Sequence, residues 1–317
     1  MRKLLATASL WALAALPGNA QPLGLGASPQ GTLTYTLAAT VSKVLSEQAK
    51  IPSRVQPSSG TGAMIPLVNS GEIDIGFCNT LELYESFHGT GTFDKRPNPK
   101  LRAVAVIFPI RTGLFVRNDA PIKTIADLRG KTAANGFTSQ EIIQTTVDAM
   151  LATGGLSAKD MRTVLVPNLI RGVDEFMAGR VDMTTFALGG AKVSEADAAV
   201  GGIRYLDLGN DPTGVAAMQK IFRNSYVERV EPAPNLPGVR APLYTMHYDY
   251  TIFAGADVPA DRVKAVVKAI AENKDALAQG LPLFRGMKTE RMFHQIDVPY
   301  HDGAIAYFRE KGIQETK

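Results

Sequence analysis

The stretch Pro57-Ser58-Ser59-Gly60-Thr61-Gly62-Ala63 joins a β-like run, Arg54-Val55-Gln56, to an apolar segment with helical spacing. Glycines and hydroxyl groups that lead into a helix present free backbone N–H groups and the positive end of the helix dipole. Such a loop is either an ordinary helix cap, which every βα unit needs, or one wall of a ligand site. A recurrence of this arrangement in the chain favours the second interpretation.

Similar loops do recur. Asn135-Gly136-Phe137-Thr138-Ser139-Gln140 precedes a helix predicted over residues 141–153, and Thr184-Thr185-Phe186 ends a strand before Gly189-Gly190 opens another helix. In the first part of the chain, Gly31-Thr32 and Asn79-Thr80 also stand at predicted helix starts. Repeated strand–loop–helix units predict an α/β fold with parallel strands. In such sheets, ligands bind beyond the carboxyl ends of the strands.

Two long apolar segments connect the halves of the chain. Residues 101–117 contain Pro109, and an internal proline is unfavourable in a continuous strand, so we predict strands over 101–108 and 112–117. Residues 244–253 alternate and predict a strand that returns between the halves. We therefore expect two Rossmann-like α/β lobes with a ligand cleft between them, joined by crossing hinge strands: residues 21–110 and 250–317 form lobe I, and residues 111–249 form lobe II.

The first twenty residues have the pattern of a secretory signal peptide. Arg2 and Lys3 precede an apolar run, and small residues end at Ala20, where we expect cleavage. Without those two basic residues, 32 basic residues face 30 acidic ones, a net charge near +2. No Lys/Arg stripe interleaved with aromatic residues is present, so no nucleic-acid partner is expected. We predict an exported, periplasmic protein that is a monomer.

The sequence contains no recognisable catalytic or metal-binding set. The histidines, none of them in metal-ligand spacing, are His88, His247, His294 and His301. The only cysteine, Cys78, follows a buried-strand pattern and is expected to be an inert thiol. Gly24-Leu25-Gly26 begins like a dinucleotide-binding motif but lacks its third glycine. We expect a protein that is not an enzyme and that holds no cofactor or metal ion.

Donor-rich loops on two lobes suit a small anionic or polar solute that is captured by lobe closure. The candidate ligand-binding residues lie at helix starts and strand ends: Gly31, Thr32, Tyr35, Ser58, Ser59, Gly60, Thr61, Gly62, Asn79, Thr80, Asn135, Gly136, Phe137, Thr138, Ser139, Gln140, Thr184, Thr185 and Phe186. Arg54, Arg111 and Arg171 are candidates to pair with an anion, although each is also compatible with a solvated surface position.

Five segments support a family resemblance: Ser58-Ser59-Gly60-Thr61, residues 69–77 (NSGEIDIGF), 122–131 (IKTIADLRGK), 177–182 (MAGRVD) and 299–312 (PYHDGAIAYFREKG). From Ser28 to its C-terminus, the chain resembles the solute-binding proteins of TRAP transporters, TAXI family. The resemblance implies a type II periplasmic binding protein fold and a small carboxylate ligand such as glutamate or 2-oxoglutarate. It also implies delivery of that solute to a TRAP-type membrane permease driven by an ion gradient.

The chain departs from the family pattern near the presumed cleft. Tyr35 keeps only half of an aromatic pair, Met64 stands where asparagine is common, and Leu81 stands where an acidic residue often follows the third strand. Away from the cleft, Asp302 replaces a proline. These departures are compatible with a ligand other than the one that is common in the family. Two alternative functions are also open: a periplasmic sensor that presents its solute to a membrane kinase, and an enzyme on the same scaffold.

Overall fold

One mixed sheet runs through the computed structural model, which describes residues 21–316, so that the predicted signal peptide lies outside the described residues. Along the sheet the strand order is β2-β1-β3-β10-β4-β7-β5-β6, and β8 and β9 pair with β4 and β10. The strands are β1 (Leu23–Ala27), β2 (Ser53–Pro57), β3 (Ile75–Asn79), β4 (Leu101–Arg117), β5 (Thr132–Gly136), β6 (Arg162–Val166), β7 (Met183–Ala187), β8 (Ile203–Tyr205), β9 (Tyr226–Val230) and β10 (Leu243–Gly255).

Helices cover the sheet and separate most of its parallel strands. They are α1 (Leu33–Glu47), α2 (Thr61–Ser70), α3 (Thr80–His88), α4 (Ile142–Ala152), α5 (Leu169–Met177), α6 (Ala191–Ala199), α7 (Pro212–Ile221), α8 (Ala260–Glu272), α9 (Lys274–Gly280) and α10 (Asp302–Glu310). The amphipathic pattern of residues 260–272 predicts α8, and its apolar side chains, Val263, Val266, Val267 and Ile270, are buried. No helix within residues 21–316 is long and apolar enough to cross a membrane.

The centre of the sheet consists of two long antiparallel strands, β4 and β10, that extend from one lobe into the other. On the lobe I side, β10 pairs with β3, which continues into the parallel β1 and β2. On the lobe II side, β4 pairs with β7, which continues into the parallel β5 and β6. This topology agrees with the α/β fold of two lobes joined by crossing strands that the sequence predicts. The residue boundaries of the lobes remain those predicted above.

The prediction of two strands around Pro109 is wrong, because β4 is continuous over 17 residues. Pro109 lies opposite Asp249 of β10, whereas β7 pairs only with residues 112–116. At Pro109, β4 therefore has a neighbouring strand on one edge only, and a residue without an N–H group is tolerated at such a position. Register shifts at residues 250–253 bend the strand pair instead.

Lobe II differs from its prediction in two further elements. The sequence of residues 122–131 predicts a short helix that ends at a glycine, but only a single 3₁₀ turn forms, over Ala126–Leu128. Asp127 accepts hydrogen bonds from the N–H groups of Lys123 and Thr124, and these bonds stabilise a turn rather than a longer helix. The strand β9 was not predicted, because its half-exposed edge position leaves a weak apolar alternation.

Candidate functional site

A cavity of about 100 Å³ lies between the lobes, on one face of β4 and β10. Its volume is several times the roughly 10–15 Å³ that one water molecule requires, so it has room for a small organic solute. The wall combines hydroxyl, amide and apolar side chains from both lobes. It consists of Ser28, Thr32, Leu33, Thr34, Thr61, Asn79, Glu82, Ile110, Thr112, Gln140, Ile142, Ile143, Thr146, Leu169, Ile170, Thr185, Phe186, Ala187, Tyr248 and Tyr250.

The crossing strands form the part of the wall that both lobes share. Ile110 and Thr112 of β4 and Tyr248 and Tyr250 of β10 face the cavity. Since successive side chains on a strand point to opposite faces, Arg111 lies on the other face of the sheet. There it lies opposite His247 of β10. Burial, and to a smaller extent the nearby positive charge of Arg111, lowers the pKa of His247 to about 4.

None of the three candidate arginines contributes to the cavity wall. Arg54 is exposed on the edge strand β2. Arg171 is exposed on α5, where its guanidinium group contacts Asp174 at 3.1 Å and Glu175 at 3.3 Å. Together with Arg111 on the opposite sheet face, these positions mean that the arginine candidates do not meet a solute in the cavity.

Glu82 is the only Asp, Glu, Lys, Arg or His among the cavity residues of the described chain. It lies in the first turn of α3, whose N-cap Asn79 accepts a hydrogen bond from the Glu82 N–H at 2.8 Å. The Glu82 side chain is buried and accepts a hydrogen bond from the Thr61 hydroxyl of α2. Burial is the largest effect on this carboxyl group and raises its pKa to about 7, although the Thr61 hydrogen bond opposes the shift.

Sequence reasoning missed Glu82, although a signal for it was present. Asn79 followed three residues later by Glu82 is the pattern of a capping box, in which the acidic side chain returns to the N–H of the cap residue. The cap itself forms, but the Glu82 carboxyl oxygens contact Thr61 and, at 3.5 Å, the Asn79 side-chain amide. The pattern therefore predicts the helix start correctly and conceals a carboxyl group that faces the cavity.

Six of the predicted site residues line the cavity: Thr32, Thr61, Asn79, Gln140, Thr185 and Phe186. They come from three helix starts in lobe I, one helix start in lobe II and the end of β7. The other predicted site residues do not line it: Gly31, Tyr35, Ser58, Ser59, Gly60, Gly62, Thr80, Asn135, Gly136, Phe137, Thr138, Ser139 and Thr184.

The misses in lobe II have specific structural reasons. Phe137 is fully buried in the hydrophobic core, and Asn135 is buried with its amide donating to the Thr163 hydroxyl at 3.2 Å. Thr184 points to the opposite face of β7 from Thr185, towards Gly172 of α5. A loop motif predicts which segment lies near the cavity. Whether a given side chain faces the cavity depends on the alternation of side chains along the strand and on which residues pack into the hydrophobic core.

Gly60 and Ser139 bring the two predicted loops into direct contact across the cleft. A Cβ atom built on Gly60 would lie 2.0 Å from the main-chain oxygen of Ser139. The Gly60 backbone is extended, with φ 175° and ψ 177°, so a side chain would be excluded by the other lobe and not by its own backbone. These loops are therefore the rim where the lobes meet, and their neighbours Thr61 and Gln140 form the wall inside it.

Hydroxyl groups supply most of the polar wall. Thr34 and Tyr250 share a 2.7 Å hydrogen bond, and Thr112 and Thr185 approach to 3.4 Å. The Ser28 hydroxyl, just after β1, is buried and has no hydrogen-bond partner among residues 21–316. Because a buried polar atom is normally paired, Ser28 is a group that a solute could satisfy.

Two of the positions that depart from the family pattern do not face the cavity. Met64 is buried, and a Cβ atom on Gly26 would lie 2.6 Å from its sulfur, so Met64 packs against β1 in the core. Leu81 is also buried outside the wall, whereas Glu82 beside it lines the cavity. No group of three or more His, Cys, Asp or Glu residues suited to a metal ion occurs in the described part of the chain.

Comparison with solved structures gives the same fold. The chain is similar to the periplasmic aliphatic sulphonate binding protein SsuA from Escherichia coli, at 18% identity and a TM-score of 0.50 over 91% of this chain and 82% of SsuA. An ancestral arginine-binding protein bound to arginine gives 13% identity and a TM-score of 0.51 over 84% and 98% of the two chains. XAC2383 from Xanthomonas citri, in a structure bound to ATP, gives 11% identity and a TM-score of 0.50 over 92% of this chain and 98% of XAC2383.

At these identities the similarity concerns the fold, which is that of type II periplasmic binding proteins. A sequence model of the NMT1-like family matches residues 25–312, which run from the middle of β1 to beyond α10. The chain therefore belongs to the NMT1-like family.

Proposed function

We propose that this protein is an extracytoplasmic solute receptor that captures one small molecule between its lobes and delivers it to a membrane permease. The observation that carries the proposal is the interlobe cavity, whose wall draws on both lobes and on the strands that join them. Cavities between domains that are mostly apolar with a few placed polar groups are typical small-molecule sites. Fold similarity to binding proteins agrees with this function but does not identify the solute.

Hinge closure is the proposed capture mechanism. The lobes are joined through β4 and β10, and they meet at the rim formed by Gly60 and Ser139. Separation of this rim by bending of the two strands would open the cavity to solvent, and closure would exclude water from a bound solute. Binding proteins of this shape commonly use such hinge motion.

The resemblance to the TAXI family supports a TRAP-type permease as the partner and a carboxylate such as glutamate or 2-oxoglutarate as the solute. Among residues 21–316, however, the cavity wall contains no Lys, Arg or His to pair with a carboxylate. A bound carboxylate would depend on hydroxyl and N–H donors alone. We therefore propose the permease partner on the resemblance and treat carboxylates as one class to be tested.

The mature chain, residues 21–317, should be purified without added solutes, denatured, and its released small molecules identified by mass spectrometry. The same protein is then titrated calorimetrically with amino acids, amines, sugars, and mono- and dicarboxylates. A 1:1 heat signal with a rise in melting temperature supports the receptor function, and the absence of both across the panel contradicts it. Recovery of permease subunits from solubilised membranes supports a transport role, whereas recovery of a kinase supports the sensor alternative.

A further inference from the structure

The Glu82 carboxyl group is held in an arrangement that suits its ionised form. Both of its oxygens have donor groups near them, the Thr61 hydroxyl and the Asn79 side-chain amide. It also lies in the first turn of α3, where the helix dipole stabilises negative charge. Hydrogen bonds donated to a carboxylate favour its charged state. These contacts favour the ionised carboxylate, whereas burial opposes it and raises the pKa of the group to about 7, so a nearby positive charge would promote its ionisation.

That anion has no countercharge within the described chain. No Lys, Arg or His lines the cavity, and no salt bridge involves Glu82. An unpaired buried carboxylate is costly, and pairing with a cation restores its charge. The neighbours that interact electrostatically with it, namely Glu85, Cys78, Tyr248 and Tyr250, are acidic or neutral. A solute is thus the remaining source of positive charge.

The other residues of the wall indicate which chemical groups the rest of that solute carries. Leu33, Ile143, Ile170 and Phe186 belong to an apolar surface contributed by both lobes. An apolar surface of this kind excludes water and suits an aliphatic or aromatic group. In the same wall, Ser28 offers a hydroxyl without a partner in the described residues. A compact apolar molecule with a charged nitrogen at one end matches this distribution.

We propose that Glu82 is the specificity-determining residue of the cavity and that the solute is an apolar-bodied amine or amino acid, whose protonated nitrogen binds the Glu82 carboxylate. This inference rests on the proposed receptor function. It differs from the carboxylate specificity that the family resemblance implies, because the solute is selected by its nitrogen. A carboxylate at the other end of an amino acid would be held by the hydroxyl groups of the wall.

The test compares pairs of probes that share a carbon skeleton and carry either a protonated nitrogen or a neutral oxygen. Leucine, valine and phenylalanine are titrated against their 2-oxo acids, and isobutylamine and phenethylamine against the corresponding alcohols. We expect the nitrogen-bearing member of at least one pair to bind about tenfold or more tightly, because a solute without the nitrogen leaves the buried Glu82 charge unpaired. Equal or tighter binding of the 2-oxo acids or alcohols would overturn the inference. It would leave the receptor function intact, whereas no binding in any class would overturn both.

Two variants assign the effect to Glu82. Glu82→Gln keeps the side-chain shape and an oxygen that accepts from Thr61, and it should lose about tenfold or more in affinity for the amine while affinity for the 2-oxo acid changes little. Glu72→Gln is the control, because Glu72 is an exposed carboxylate outside the cavity wall. An equal loss in both variants, or none in Glu82→Gln, would overturn the role of Glu82. If Glu82→Gln does not fold, the comparison of probes on the natural chain decides.

Proton linkage supplies a readout that a merely structural carboxyl group would not give. If a cation binds Glu82, the complex favours the ionised carboxylate and binding releases protons near pH 6, where the free group is mainly protonated. Titrations in two buffers with different ionisation enthalpies measure that release. Proton uptake at pH 8, as expected when a carboxylate ligand favours protonated Glu82, would contradict the proposal.

Discussion

The main chain of Gly60 in lobe I touches the carbonyl oxygen of Ser139 in lobe II. The contact leaves no space for a Cβ atom, since one built on Gly60 would lie 2.0 Å from that oxygen. Both residues belong to glycine- and hydroxyl-rich loops that precede helices. The loops act as the rim of the cavity, and the residues that follow each of them turn inwards to form its wall.

Gly60→Ala should weaken solute binding about tenfold or more while the free protein stays folded. The methyl group would hold the lobes apart, but an extended backbone is accessible to alanine, so folding is not penalised. The measurement is calorimetric affinity combined with the melting temperature of the unliganded protein.

Gly62→Ala is the control for this change, because no heavy atom lies within 4 Å of a Cβ atom at that position. Gly62 is inside α2, so alanine should raise stability slightly and leave affinity unchanged. Affinity retained in Gly60→Ala would show that the bound state does not require this contact, and closure at the rim would be wrong.

Thr61→Val should shift the pH at which Glu82 ionises to a higher value. The Thr61 hydroxyl donates to the Glu82 carboxyl group and holds its pKa below the value that burial alone would give. Valine has the same shape without the donor. The pH midpoint of amine binding, measured by titration between pH 5 and 9, should therefore rise.

Thr61→Ser keeps the hydroxyl and is the matched control for that shift. If valine and serine at this position gave the same pH midpoint, the hydrogen bond would not tune Glu82. If only Thr61→Ser unfolded at neutral pH, the threonine methyl group, which valine retains, would be required for packing of α2.

The fold could be predicted from the sequence to a large extent, because its signals are local. Apolar periodicity predicts α8, and the Asn79 and Thr32 caps mark the starts of α3 and α1. The continuity of β4 could not be predicted, because the tolerance of Pro109 depends on which strands flank it in space. The same limitation applies to β9, an edge strand whose partner is distant in sequence.

The candidate site was predictable in position but not in side-chain detail. Loops at strand ends locate the cleft, and six of their residues face it. Glu82 was missed because its position three residues after Asn79 is already explained by a helix-capping pattern, which suggests no role in a ligand site. Only the three-dimensional placement of α2 beside α3 brings Thr61 to that carboxyl group and makes it part of the wall.

Glu82 should also make the stability of the free protein depend on pH. Burial raises its pKa from 4.5 to about 7, so the folded state binds more protons than the unfolded state between these values. The contribution of this group to stability is therefore present below pH 4.5 and is lost as pH rises through about 7. A pKa difference of this size corresponds to roughly 3 kcal/mol.

Glu82→Gln cannot ionise, so it should unfold at a higher urea concentration than the natural chain at pH 8, with a smaller difference at pH 5. Urea unfolding at both pH values measures this. Glu72→Gln, an exposed carboxylate on the turn after α2, should change neither transition. A parallel pH response of the natural chain and Glu82→Gln would show that other groups dominate.

A second contact between the lobes lies away from the cavity and should tune affinity from a distance. Arg223, between α7 and β9, contacts the Asp297 carboxylate at 2.6 Å and places its guanidinium group 4.7 Å from the ring centre of Tyr84 in α3. The predicted boundaries assign Arg223 to lobe II and the other two residues to lobe I. The contact therefore stabilises the arrangement of the lobes in this structure, in which the rim at Gly60 and Ser139 is closed.

Arg223→Ala should weaken solute binding by up to about fivefold, because half-exposed ion pairs contribute about 0–1 kcal/mol. The effect should shrink at high salt, since the pair is screened. Affinity is compared at 50 mM and 500 mM NaCl. Arg229→Ala, whose Glu231 partner lies in the same lobe, is the control and should bind as the natural chain does. An unchanged affinity for Arg223→Ala at low salt would mean that its contacts form equally in the open and closed arrangements and do not favour closure.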